Sequence, residues 1–230
     1  MVITVYGVVS PDEAQQFEVA GANVIGTFLG KQAHGRVVDE ATTVAIARSL
    51  SSAHLCVEAL TGAEIEPEAA LRTGARWIQT PWGPPASAEW RYRLAKLGLG
   101  WVLARVPANE DDDPAWVLGR TAEYGDPAPA WAQVELCPDL DDGWAILREP
   151  NSDELDLQDL DGIATQMPIV VSVPLTLERL TELHAQLPHV HGVALTLAGN
   201  GGAIPGATKI DLEDALAIVS ALRAGGLSRW

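Results

Sequence analysis

Cysteine, methionine, phenylalanine and tyrosine are all scarce in this 230-residue chain, with 2, 2, 2 and 3 copies respectively. Basic residues are scarce too: 15 Lys and Arg stand against 31 Asp and Glu, a formal net charge of −16. An acidic surface repels phosphate backbones and anionic lipid, so neither nucleic acid nor a membrane is expected as partner. Cys56 and Cys137 lie far apart in apolar runs. They read as reduced core residues rather than a disulfide. No basic leader precedes an apolar run and no run is long enough to span a bilayer, so neither a signal peptide nor a membrane helix is expected and the cytoplasm is the expected compartment. The five histidines show no metal-ligand spacing, and no metal or cofactor is expected.

What is abundant is alternation. With 47% hydrophobic content, the chain can bury one sizeable core. Short β-branched runs are separated by amphipathic stretches, the pattern of βα units around a parallel sheet. "VITVYG", "ANVIGTFLG", "HLCVEAL", "RWIQTP" and "GWVLARVP" are strands one to five, and "MPIVVSVP" and "HGVALTLAG" are strands seven and eight. Ser10 is a fitting N-cap for the first helix, Pro11 suits its first position, and Gly21 ends it. Strand six is either "WAQVELCP" or "GWAILREP", or the two form a hairpin; residues 139 to 166 are hard to assign. The acidic run 110–113 reads as a solvated helix start, and Trp90 and Trp116 as filler between barrel and helices. Eight strands in this length fit one (β/α)₈ TIM barrel, an α/β fold filling residues 1–230 as a single domain.

Several segments together resemble the phosphoribosylanthranilate isomerase family. "YGVVSPDEAQQFEVAGANVIGTFL" is similar to that family's K-I-C-G-(I/L)-T opening, a helix, and G-A-D-x-I-G-F-V-F. "HGRVVDEATTVAIARSL" resembles S-P-R-Y-V and the helix after it, keeping the arginine as Arg36. "WIQTPWG" resembles V-V-Q-L-H-G with Gln79 retained, "PIVVSVPLTLERL" resembles the strand-seven segment, and "PGATKIDLEDALAIVSAL" resembles the closing P-G-x-K-D and helix. The likeness is collinear except over about residues 107 to 165. It implies a barrel enzyme performing an Amadori rearrangement of an aminoaldose phosphate. The resemblance further implies a cysteine base closing strand one, an aspartic acid near the end of strand six, and backbone N–H groups that hold the phosphate after strands seven and eight.

The departures from that pattern fall on those parts. The cysteine position is Tyr6, a poor base at neutral pH but a good acid or hydrogen-bond donor; alternatively, its ring simply plugs the barrel mouth. The glycine pair after strand seven is Val173 and Pro174, which brings bulk and removes an N–H donor. Ser172 closes that strand, and Asn200 and Gly201 sit in a glycine-rich loop that suits either an anion nest or a turn. The acid position is Arg148 if "GWAILREP" is strand six, and Glu135 lies on the strand if "WAQVELCP" is. Glu58 and Glu135 stand among apolar strand neighbours. Each is either a buried site carboxylate or an outward residue paired with a helix cation. Pro81 stands where the family has histidine and Trp82 follows it; Tyr6 and Trp82 would suit a flat apolar ligand.

The expected function is cofactor-free acid–base chemistry (isomerisation, cyclisation or elimination) on a small molecule without a phosphoribosyl group. Tyr6, Glu58 and Glu135 are the candidate catalytic residues. Arg36, Gln79, Trp82, Arg105, Arg148, Ser172, Asn200 and Gly201 are the candidate substrate-binding residues. A monomer or homodimer is expected. Two other readings are kept: a genuine phosphoribosylanthranilate isomerase, and a non-catalytic binding or scaffold barrel.

Overall fold

Local signals set the first unit. In the computed structural model, Ser10 accepts a hydrogen bond from the Glu13 N–H at 3.2 Å, and Pro11 opens helix α1 (Pro11–Ala20). Gly21, at φ 126°, turns the chain out of that helix into the next strand. The structure describes residues 1–30, 35–59, 65–81, 87–122, 125–137, 142–149, 154–199 and 209–224.

The strands are β1 (Val2–Tyr6), β2 (Val24–Leu29), a two-residue β3 (Val37–Val38), β4 (His54–Ala59) and β5 (Trp77–Pro81). They continue as β6 (Gly100–Ala108), β7 (Ala132–Leu136), β8 (Ile169–Ser172), β9 (Gly192–Leu197) and a two-residue β10 (Lys209–Ile210). Between them run α2 (Glu40–Ser49), α3 (Pro67–Thr73), α4 (Ala88–Lys96), α5 (Pro114–Ala122), α6 (Gly143–Leu147), α7 (Leu157–Ala164) and α8 (Leu177–Gln186), and α9 (Leu212–Ala224) follows β10. Every pairing is parallel, in the order β1-β2-β4-β5-β6-β7-β8-β9, and β1 pairs with β9 to close the ring. Eight long strands and their helices make the (β/α)₈ barrel expected from the alternation. No helix among the described residues is long and apolar enough to cross a membrane.

Side chains from one strand alternate between two layers. The larger layer lies between barrel and helices, where Val5, Ile25, Leu55, Ile78, Leu103, Val134, Val171 and Leu195 pack against Phe17, Ile46, Leu94, Leu160 and Leu222. The second layer is the barrel interior, with Tyr6, Val24, Phe28, Cys56, Val102, Trp131, Val170 and Ala194. Toward the N-terminal ends of the strands it is stopped by aromatics: His54 meets Trp77 edge-on at 5.4 Å, and Trp77 meets Trp131 at 5.2 Å. Trp77 therefore belongs to the floor. Trp101 faces outward, edge-on to the buried Trp90.

Two expectations from the sequence need correction, and two open assignments are settled. "WAQVELCP" supplies β7, while "GWAILREP" is helix α6, because Asp142 caps it by accepting from the Ala145 N–H. Residues 157–164, unassigned from sequence, form α7 behind a capping box between Asp156 and Asp159. Asp112, in the supposed solvated acidic run, is buried and takes both Arg120 nitrogens at 2.7 and 2.9 Å. Trp116 is 65% exposed, not filler. Cys56 and Cys137 are both free and buried.

Two helix glycines are unneeded. A methyl group at Gly119 in α5 or Gly162 in α7 would meet nothing within 4 Å, and neither has a positive φ. Each Gly→Ala change is expected to stabilise the fold by about 0.5–1 kcal/mol, by helix propensity and reduced unfolded-state freedom. Urea unfolding of each variant checks this.

Candidate functional site at the carboxyl end of the barrel

Parallel register places the candidate residues on the inward face. Tyr6 is opposite Gly26, and Gly26 is opposite Cys56. One step toward the carboxyl ends, Phe28, Glu58 and Gln79 follow in the same way. Across the barrel, Glu135 is opposite Ser172, and Thr196 is opposite Tyr6. Gly26 is required by Tyr6: a Cβ there would lie 2.0 Å from the ring carbon Cδ1. The ring thus lies flat across the strand and its hydroxyl is carried inward.

That hydroxyl is buried, near the Cys56 thiol but without a well-formed hydrogen bond among the described residues. Burial, with Cys56 and Glu58 nearby, pushes the phenol well above its ordinary range, and Arg105 pulls weakly the other way. Tyr6 is therefore a neutral phenol, the protonation state an acid or donor requires and a base does not. Burial also pushes the Cys56 thiol far up, aided by Glu58. It is a thiol, not a nucleophile.

Glu58 has no exposed side-chain surface. Its Oε1 accepts from an Arg105 Nη2, and its Oε2 accepts from Gln79 Nε2 at 2.7 Å. Burial raises its pKa while Arg105 and Gln79 oppose the rise. Arg105 reaches inward because β6 is irregular between Leu103 and Val106, where Arg105 takes φ 54°. A left-handed, non-glycine residue on a strand is costly, and such strain clusters at functional sites. Its side chain keeps 16% exposure, so the cluster meets the mouth through the guanidinium.

The second carboxylate is Glu135, 1% exposed, whose Oε1 accepts from Gln133 Nε2 at 3.0 Å. Both glutamates are thus inward and buried; the outward reading of each is overturned. In each case a glutamine amide nitrogen binds the carboxylate. The amide oxygens of Gln79 and Gln133 and the Ser172 hydroxyl are left buried without a partner among the described residues. Such atoms are rare in folded proteins and mark places built to hydrogen-bond something else. Gln133 was not anticipated. Its signal was present, since Gln133 and Glu135 are two apart on one strand and so share a face.

Arg36 stands at the same end but is engaged with the protein. Its Nε donates to the Ala198 carbonyl at 2.7 Å, and its Nη1 donates to the Gly7 carbonyl at 3.0 Å and pairs with Glu13 at 2.9 Å. Its stem runs past Gly199, where a Cβ would be 2.7 Å from Arg36 Cγ. The guanidinium ties together the segments that follow β1 and β9. Arg148 does not reach the site: it follows α6 on the outside and approaches Glu182 at 3.7 Å, half exposed. Its placement at a strand end is wrong because the segment is helical. Val173 is buried in the outer layer, and the Pro174 carbonyl accepts from Arg179. Trp82, Asn200 and Gly201 lie outside the described residues. Among the described residues, no group of three His, Cys, Asp or Glu is placed to hold a metal ion.

No family model matches the chain, and no curated protein matches it. Solved structures do. The chain is similar to N-(5'-phosphoribosyl)anthranilate isomerase from Pyrococcus furiosus, with TM-score 0.66 and 17% identity over 97% of this chain and 99% of that one. A thiamine phosphate pyrophosphorylase from Pyrococcus furiosus is similar too, with TM-score 0.58 and 14% identity over 97% and 94%. Phosphoribosyl anthranilate isomerase from Thermococcus kodakaraensis gives TM-score 0.65 and 21% identity over 96% of this chain and 98% of that one, so what the chain shares with these structures is the barrel fold, carried by a very different sequence.

Proposed function

We propose that this chain is a divergent relative of phosphoribosylanthranilate isomerases, a single-domain cytoplasmic enzyme, monomeric or homodimeric. It performs cofactor-free acid–base chemistry on a small molecule without a phosphoribosyl group. One observation carries this reading. A neutral phenol and two buried carboxylates stand on the inward face of the strands toward the carboxyl end of a barrel, where such enzymes place their chemistry.

Each group has a role that follows from its surroundings. Tyr6, held protonated, is the acid or the donor to a developing oxyanion. Glu58 has both oxygens occupied, by Arg105 and Gln79, so it serves to hold Arg105 in the mouth. Glu135, oriented by Gln133, serves as the base in this reading. Arg105 offers a polar or anionic substrate group a partly exposed guanidinium. The buried carboxylates weigh against a non-catalytic barrel, since a scaffold has no use for charge taken out of water at a cost of several kcal/mol.

A panel of unphosphorylated carbonyl metabolites, followed by NMR for product and for deuterium uptake from D₂O, provides the test. Tyr6→Phe and Glu135→Gln are each expected to lower turnover by about 10²–10⁴-fold with the fold intact. Unchanged turnover in the double variant would refute the assignment. Growth of a tryptophan auxotroph lacking phosphoribosylanthranilate isomerase, when supplied with this chain, would favour the phosphoribosyl reaction instead.

A further inference from the structure

The barrel wall opens at one seam. β8 stays paired with β9 only as far as Val171 opposite Val193. Farther along, β9 pairs instead with β10, Lys209 opposite Thr196 and Ile210 opposite Leu197. Between the diverging strands lies a cavity of about 100 Å³, bounded by residues 173–175 on one side, 194–196 on the other, and Lys209 and Ile210 at its edge. We propose that this opening is a specificity subsite holding a small, uncharged aliphatic group of the substrate. The proposal rests on the acid–base reading above and adds the class of substrate.

The chemistry of the walls argues for it. Val173, Leu175 and Leu195 are buried and apolar, and Ala194 adds only a methyl group. Pro174 contributes no N–H, so one natural backbone donor for an anion is missing. Among the described lining residues, Thr196 carries the only buried side-chain hydroxyl, and Lys209 is exposed to water. A phosphate dianion needs several convergent donors to replace its hydration, and the described walls offer one solvated ammonium and one hydroxyl. An aliphatic group needs only the apolar walls. At roughly 30 Å³ per water molecule, the space holds a group of about three heavy atoms. A branched alkyl end of isopropyl size fits, and a sugar phosphate does not.

Methyl-resolved NMR of the whole chain tests this by titration with isobutanol, isobutyrate and inorganic phosphate. Isobutanol is expected to shift the Val173, Leu195 and Ile210 methyl signals saturably, with half-saturation at about 1–10 mM. Isobutyrate should bind within a few-fold of isobutanol, and phosphate should not shift these signals. Ala194→Val adds two methyl groups to the cavity and should weaken isobutanol about tenfold or more. Lys209→Ala, at the exposed edge and safe for folding, should leave isobutanol binding unchanged. Phosphate binding that Lys209→Ala abolishes would overturn the proposal, as would the failure of all three probes to bind. These outcomes are independent of turnover: loss of the acid–base reading would show in the Tyr6 and Glu135 variants, whatever the probes do here.

Discussion

Gly192→Ala is expected to destabilise the protein by about 3 kcal/mol or more, the largest effect of any single methyl group added to the barrel. Gly192 is the first residue of β9, paired with Val2 of β1 on one side and Val170 of β8 on the other. A Cβ there would fall 1.9 Å from the Val2 carbonyl oxygen and under 3 Å from its carbonyl carbon and nitrogen. These are backbone atoms, so no rotamer change makes room. The neighbouring hydrogen bond from the Val2 N–H to the His191 carbonyl, at 2.8 Å, holds the same spot. Relief requires moving β1 from β9, and that seam is what closes the ring. For a chain of this size the loss corresponds to a fall in Tm of roughly 6–12 °C. A similar methyl group at Gly26 strikes the Tyr6 ring instead, a side chain. The Gly26→Ala and Tyr6→Ala costs should therefore be non-additive, the double variant losing less than the sum. Urea unfolding decides both points, and a Gly192→Ala variant within 1 kcal/mol of the parent would show that the seam adjusts.

What the sequence carried about this architecture was the repeating unit. The β-branched runs, the Ser10 cap, Pro11 and Gly21 are local features whose meaning does not depend on the rest of the chain, and they predicted strands and helices in place. Strand six was left open between two segments for a physical reason. "GWAILREP" has the apolar content of a strand, and its helical state depends on a single Asp142 cap and on packing against α8, where Arg179 pairs with Asp142 and Trp144 reaches Glu182. Tertiary contacts decided that segment. The site was legible as a set of residue types but not as an arrangement. Glu58 and Glu135 were suspicious because carboxylates rarely sit among apolar neighbours. Their inward direction, however, depends on register across four strands. The Arg105–Glu58 contact depends on an irregularity in β6 that no motif announces. The engagement of Arg36 with Gly7, Ala198 and Glu13 joins residues far apart in the chain, so a matching arginine in a matching motif did not disclose its partners.

The Arg105–Glu58 pair gives the other large expected effect, and its pH dependence distinguishes it from ordinary packing loss. Arg105→Met keeps a long side chain and the same uncommon backbone position while removing the charge. Glu58 is then fully buried with Gln79 alone, among the described residues, to stabilise its ionised form. Breaking one side of such a pair costs about 3–5 kcal/mol at neutral pH. The sign with pH follows from burial. Glu58 already has a pKa raised above the ordinary carboxylate value of 4.5, so the folded state binds more proton than the unfolded state just above that value. Stability attributable to Glu58 is therefore full below about pH 4.5 and falls as pH rises toward the folded pKa. Without Arg105 the folded pKa moves higher, so the fall continues to higher pH and the deficit of Arg105→Met grows from pH 5 to pH 8. Glu58→Gln removes the titrating group and should flatten this slope. Adding Glu58→Gln to Arg105→Met should restore much of the lost stability at pH 8, because no uncompensated charge remains. Urea unfolding of the four proteins at pH 5 and pH 8 measures the cycle. An Arg105→Met deficit that is equal at the two pH values would mean that the guanidinium stabilises the mouth by packing alone, and that Glu58 is neutral throughout. In that event the inward turn of β6 at Arg105 would serve the substrate rather than the glutamate.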